Sequence, residues 1–294
     1  MHCLAKTLGR SNANAFKRAA VLATLASCGL AAQAADWSDT SVGWRYGTQF
    51  AEPYESNNIT KNIFNLTHVS GYKYGTNFFN VDMLFSDKLD PSSYGSQNGA
   101  HEIYVVYRHT LDLSKVTDKS FKFGPVRDLG LTAGFDTNTK TDTAYNSKKQ
   151  MLVAGPTLMM DVPGFLNVSV LELWESNAPS GWNFQKNSTY SIARYNYTPH
   201  PELDVVWGIP IGSFPLEFKG YADLIASKGK DEFGDQTASE THIDMEIMYD
   251  VLGKKTFQIG LEYEYWKNKF GNNTALAGPG AFARTPMVRA EYHF

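Results

Sequence analysis

From Thr40 to Phe294 the apolar residues recur mainly at every second position, in segments of about ten residues separated by turn-forming stretches. The cleanest segment runs from Thr256 to Tyr265: Phe257, Ile259, Leu261, Tyr263 and Tyr265 share one face, and Gln258, Gly260, Glu262 and Glu264 the other. Side chains alternate across a strand, so one face of this segment suits lipid and the other suits water. The same split separates Val42, Trp44 and Tyr46 from Gly43, Arg45 and Gly47, and Ile103, Val105 and Tyr107 from Glu102, Tyr104 and Arg108. It recurs for Leu129 to Phe135 against Gly130 to Asp136, and for Leu216, Phe218 and Leu224 against Glu217, Lys219, Tyr221 and Asp223. It returns for Ile243 to Tyr249 against His242, Asp244, Glu246, Met248 and Asp250, and no helical period of comparable length competes. Repeated ten-residue dyads of this kind specify an all-β chain, a transmembrane antiparallel β-barrel.

Counting segments gives thirteen if Ser188–Tyr197 and Leu203–Ile211 both cross a membrane, whereas single-chain bacterial barrels have an even number. Residues 176–200 are therefore expected as an excursion above the bilayer and 202–211 as the crossing, leaving about 12 strands. Short links at Gly71–Gly75, Asp161–Gly164 and Gly212–Pro215 fit tight turns at one end; polar stretches 51–60, 87–100, 138–148, 176–200, 227–239 and 267–283 fit long loops at the other. The longer Asp112–Asp128 link is expected to form its own hairpin. Three segments, Ile63–Val69, Met151–Met160 and Phe165–Trp174, switch apolar face midway and receive no inward or outward side; bulges are the expected cause.

Residues 1–34 read as a cleaved signal peptide and 35–294 as the barrel: Lys6, Arg10, Lys17 and Arg18 precede an apolar run and the small-residue site Ala32-Gln33-Ala34. Leu25-Ala26-Ser27-Cys28 offers an alternative lipidated start, set behind ordinary cleavage because the Ala-x-Ala site follows directly. Subtracting those four cations from the 27 basic residues leaves 23 against 30 acidic ones. So acidic a chain is a poor partner for nucleic acid, whose binding rests on neutralising phosphates.

The phased segments turn Asp82, Glu102, Asp136, Glu217, Asp223, Asp244, Glu246, Asp250, Glu262, Glu264 and Glu291 inward, with Arg45, Arg108, Lys219 and Arg289. Facing charges of both signs would pair and narrow the bore to a slot. Phe78, Tyr104, Tyr221 and Trp266 fall on the same inward set, where aromatic faces suit stacking of a flat ring while charged groups bond hydroxyls. The candidate substrate contacts are Phe78, Asp82, Tyr104, Arg108, Tyr221, Asp244, Glu262, Glu264, Trp266 and Arg289. Residue by residue, ion-pair ladders and space filling are the simpler explanation.

Enzyme readings are weaker. His68 and Ser70 share a face without a third orienting group, His242 and Asp244 are too few for a metal site, and Asp231, Glu232 and Asp235 do not complete a calcium loop. His109 and His200 lie near polar links and are expected to be solvated. No catalytic residue, metal or cofactor is expected.

The run Gly260-Leu261-Glu262-Tyr263-Glu264-Tyr265-Trp266-Lys267-Asn268-Lys269-Phe270-Gly271 resembles the Tsx and OmpK family of nucleoside-specific channel-forming outer-membrane proteins. Phe78–Asp87, Glu217–Gly234 with its Lys219-Gly220-Tyr221-Ala222-Asp223 core, and the C-terminal strand Arg284–Phe294 support the likeness, which spans the chain after residue 34. The resemblance implies a monomeric twelve-stranded barrel in the Gram-negative outer membrane, passing nucleosides or similar small solutes by diffusion. Its expected partners are outer-membrane lipids and, through the aromatic C-terminal strand, the barrel-assembly machinery. A channel for another solute, a hydrolase, or a phage or adhesion receptor remain the alternatives.

Overall fold

The computed structural model describes residues 35–294; the signal-peptide expectation, with cleavage near Ala34 and the Cys28 alternative, lies outside them. Fifteen strands follow in order: β1 (Trp37–Phe50), β2 (Ile59–Tyr72), β3 (Gly75–Ser86), β4 (His101–Asp112), β5 (Val126–Lys140), β6 (Gln150–Met160), β7 (Phe165–Asn177), β8 (Ser180–Asn183), β9 (Ser188–Ser191), β10 (Tyr195–Asn196), β11 (His200–Pro210), β12 (Leu216–Ile225), β13 (Glu240–Asp250), β14 (Phe257–Lys267) and β15 (Phe282–His293). Each of β1–β7 and β11–β15 pairs antiparallel with its neighbours, and β15 returns to β1, with Ser41 opposite His293 and Tyr46 opposite Val288. The sheet thus closes into a twelve-stranded barrel with no free edge. The 176–200 excursion is the short β8–β9 hairpin and the β10 segment, which pairs with the top of β7.

Closure leaves only two surfaces, and the residues sort between them by parity. Leu152, Val170, Ile247, Leu261 and Val288 stand exposed on the outer wall, Leu261 at 69%, while Gln258, Glu262, Glu291 and Thr285 are buried within. A continuous apolar outer wall is stable only against lipid. Outward Trp44, Tyr46, Tyr107, Tyr263, Tyr265, Tyr292 and Phe294 line it as expected.

At one end the links are tight. Gly164 and Gly212 take positive φ (77° and 58°) in the β6–β7 and β11–β12 turns, a conformation that costs glycine least. The Asp112–Asp128 link, expected to form its own hairpin, opens on a one-turn helix, Leu113–Thr117, capped by the Asp112 carboxylate accepting from the Lys115 N–H at 3.3 Å, and ends in a tight antiparallel bridge between Phe123 and Val126. Ser114 Oγ lies 2.5 Å from the Asp128 carboxylate, to which it donates, and 3.0 Å from that of Asp112, tying the helix to both strands.

The segments without a legible side contain no bulge in the ambiguous stretches; the register shifts lie at Gly47/Phe50 and Val126/Asp128. They are ambiguous because apolar residues face inward as well as outward. Met151, Val153, Leu171 and Leu173 pack inside the barrel with Ile225, and Ile63 packs inside with Phe50, Ile59, Met287 and Leu84. Below the first cluster, Thr110, Thr132, Thr157 and Ser169 form a chain of hydroxyl hydrogen bonds of 2.9, 2.6 and 3.0 Å across β4, β5, β6 and β7.

Candidate functional site

At mid-height the inner wall of β12–β15 and β1 carries charged side chains on every strand, so like charges meet across strands. Glu246 lies directly opposite Glu262, Asp244 opposite Glu264, and Arg45 opposite Arg289. Such pairs repel unless opposite charge is inserted between them. Glu262 does this for the two arginines, accepting from Arg45 Nη1 at 3.0 Å and Arg289 Nη1 at 2.8 Å. Arg289, opposite Gly260, reaches Glu246 on β13 at 2.8 Å and also bonds Glu291 at 2.6 Å. Arg45 extends the other way to Asp82 on β3 at 2.6 Å. Lys219 closes the mesh from β12, 2.6 Å from Glu291 and 3.5 Å from Glu246. Glu262 is 2% exposed. Charges this buried persist only because each has several partners, and removing one partner leaves others uncompensated.

Nearer the long loops the wall becomes aromatic. The His242 and Trp266 rings stack at 3.9 Å with a 12° interplanar angle; Tyr221 meets His242 edge-on at 5.1 Å, and Phe270 meets Trp266 edge-on at 4.6 Å. The Trp266 N–H donates to Glu240 at 3.1 Å, the Lys269 ammonium stands 4.9 Å from the Trp266 ring centre, and Glu264 lies 3.4 Å from His242. Trp266 is thus occupied by protein partners.

On the facing wall Arg108 lies across Gly134, where a Cβ would come within 3.0 Å of Arg108 Cδ, and pairs with Asp136. The Tyr104 hydroxyl donates to Asp136 at 3.1 Å and receives a bond from the Lys149 ammonium at 3.2 Å. Glu202 and Asp204 on β11 and Asp223 on β12 also face inward, with Asp204 directly opposite Asp223 and Arg108 as their shared electrostatic neighbour.

The long loops fold over this end. Glu52, from the β1–β2 loop, lies 2.5 Å from Lys61, 3.3 Å from Lys140 and 3.4 Å from Lys269. Burial opposes its charge, yet Lys140, Lys269 and Lys61 hold the carboxyl well below the usual carboxylate range. Lys140 also reaches Asp90 at 3.3 Å and Asp142 at 3.2 Å. Burial and a hydrogen bond to Asp90 push the Asp142 carboxyl up to about 7, against the pull of Lys140. Glu232 accepts from Tyr145 and, at 2.5 Å, from Tyr197, joining three loops. Together these contacts cap the barrel.

No family model matches the chain, and no curated protein matches it in sequence. Among solved structures it is similar to a KdgM porin (10% identity, TM-score 0.42, covering 86% of this chain and 99% of that one). It is similar also to the translocator domain of the autotransporter NalP from Neisseria meningitidis (13%, 0.44, 99% and 100%) and to a NanC porin (11%, 0.37, 87% and 99%). The likeness is one of barrel architecture.

All ten expected contacts face inward. Asp82, Glu262 and Arg289 meet through Arg45 and one another; Tyr221, Glu264 and Trp266 meet around His242; Tyr104 and Arg108 meet at Asp136. Asp244 lies between these groups as an electrostatic neighbour of Arg45 and Arg289, with no ion pair below 4.0 Å among the described residues. Phe78 stands apart, opposite Arg108 on β4 and 37% exposed. Sequence reasoning missed Glu202, Asp204 and Lys149, although Glu202 and Asp204 alternate with Leu203, Val205 and Trp207. His200 corrects an expectation: it is 1% exposed, under the loops, with Nδ1 donating to the Thr198 carbonyl at 2.9 Å. His109 is no free surface group either, stacking on Tyr72 at 5.7 Å and bonding Asn77 at 2.9 Å. Glu232, weighed for calcium, is taken by two tyrosines, and His68 bonds Thr40 at 2.8 Å.

Proposed function

We propose that this protein is an outer-membrane channel passing small, neutral, hydroxyl-rich solutes by passive diffusion, with nucleosides as the first substrate class. The observation that carries the reading is the cross-linked lumen, in which Arg45, Arg289 and Lys219 span three or more strands through shared carboxylates. A bore filled this way excludes large solutes and offers a passing molecule hydrogen-bond donors and acceptors on all sides. Its carboxylates Asp82, Asp136, Glu246, Glu262, Glu264 and Glu291 outnumber Arg45, Arg108, Lys219 and Arg289, an excess that opposes phosphorylated solutes. The resemblance of Gly260–Gly271 and its companion runs to the nucleoside channels supports the finer assignment.

Within that path the open aromatic is Phe78, with Arg108 on the adjacent strand to hydrogen-bond a base edge. Trp266, already stacked on His242, serves as a wall. That occupancy favours a second reading, in which the solute is a small polyol without a flat ring. Uptake by vesicles containing the refolded chain separates them: nucleosides entering faster than nucleotides and than sugars of similar mass support the first. A Phe78→Ala variant that loses this preference while Trp266→Phe keeps it assigns the stacking face. Equal entry of sugars and nucleosides would replace the first reading with the second.

A further inference from the structure

On the outer wall, at the long-loop end, Tyr263, Phe282, Arg284 and Pro286 of β14–β15 meet Ser56, Asn57 and Asn58 of the β1–β2 loop in a groove of about 460 Å³. Ala283, Thr285 and Met287 are buried inside, so the alternation aims Arg284 outward, away from the lumen. Arg284 has no carboxylate within 4.0 Å among the described residues; its guanidinium rests 5.0 Å from the centre of the Phe282 ring. Lys267 stands opposite Phe282 on the next strand, also exposed and also without an ion-pair partner among the described residues. The groove's one acid, Glu55, turns back into its own loop, accepting from the Ser56 and Asn57 N–H groups at 2.8 Å each and from Asn57 Nδ2 at 2.7 Å.

This is an odd place for unpaired cations. Every cation of the lumen mesh has a carboxylate, whereas Arg284 lies level with outward Tyr265 and Lys267 one step above it, over Tyr263, where an apolar wall meets polar loops. We propose that the groove seats the phosphate-bearing headgroup of a glycolipid in the surrounding leaflet. Arg284 and Lys267 would bind the phosphate, with Phe282 packed beside them at the same level, loop amides and hydroxyls the sugar, and Tyr263 and Pro286 the start of the acyl chains. The charge and the depth select this occupant: two donors of positive charge at headgroup level, above an aromatic floor at chain level. The inference rests on the reading of the long-loop end as the outer-leaflet side.

The test refolds the full chain into phosphatidylcholine vesicles, alone or with diphosphoryl lipid A, and follows thermal unfolding by loss of the compact gel band. Lipid A is expected to raise the midpoint of the unchanged protein by on the order of 4 °C. The Arg284→Gln/Lys267→Gln variant is expected to lose most of that rise with its midpoint in phosphatidylcholine unchanged. A Lys88→Gln/Lys230→Gln variant, which removes two loop cations outside the groove, should keep it. Equal rises in all three proteins, loss in the control variant, or a rise reproduced by inorganic phosphate would each overturn the assignment. Failure of the unchanged chain to insert into phosphatidylcholine would instead sink the membrane-channel reading.

Discussion

The two halves of the barrel fill the same space by different chemistry. Around β12–β15 and β1 the interior is a mesh of arginines, a lysine and carboxylates; around β5–β7 it is a hydroxyl chain under a cluster of Met151, Val153, Leu171 and Leu173. A barrel interior therefore needs filling and satisfied polar groups, and ionic or apolar filling serves equally. The charged half gains a narrow polar path, and its strands must alternate strictly because a charge on the lipid face is costly. The other half is free of that constraint.

Removing Arg289 should have the largest effect. Arg289→Met takes one of two cations from each of the buried Glu246, Glu262 and Glu291, and is expected to cost about 3–5 kcal/mol in denaturant unfolding of the refolded barrel. A cost below about 1 kcal/mol would mean the mesh is hydrated and loose. Leu171→Ala probes the other half, opening a void beside the buried Met151, Val153 and Leu173. It should cost about 2–4 kcal/mol and leave solute selectivity alone. Altered selectivity there would show that the path runs along β6–β7.

Legibility followed the same division. The inward charges on β12–β15 other than Glu240 could be read from the sequence because they alternate with apolar residues facing lipid, as in Phe257–Tyr265. In Met151–Met160 and Phe165–Trp174 both faces are apolar, so a period of two exists in space and vanishes in composition. Partner choice was less legible than facing. That Arg45 would bridge β3 and β14, or that His242 would cover Trp266, depends on side-chain reach across strands far apart in sequence. The burial of His200 and the ties of Glu52 to three lysines depend on how loops pack, for which spacing carries no signal.

Thr157→Val offers a finer contrast. It removes a hydroxyl bonded to both Thr132 and Ser169, with an expected cost of about 1–2 kcal/mol and no change in conductance. No measurable cost would mean the hydroxyl chain is incidental to filling that half.

The smallest expected effect is at the cap. The Asp142 carboxyl is raised from 3.8 to about 7, so the folded loops hold its proton more tightly than the unfolded chain does. That contribution is complete below about pH 4 and is lost as pH rises through about 7. The loops should protect their amides from hydrogen exchange better at pH 5 than at pH 8 after correction for intrinsic rates. Asp142→Asn should flatten the difference, and a dependence that survives it would place the titrating group elsewhere.

The central claim, that the ion-paired lumen is a narrow path selecting small neutral solutes, is tested most directly by single-channel conductance of the refolded chain in a planar bilayer. The solutes to titrate are adenosine, thymidine, a nucleotide and a neutral disaccharide. The account predicts a small conductance that the nucleosides block saturably while the nucleotide and disaccharide do not. A large conductance indifferent to all four solutes would contradict it.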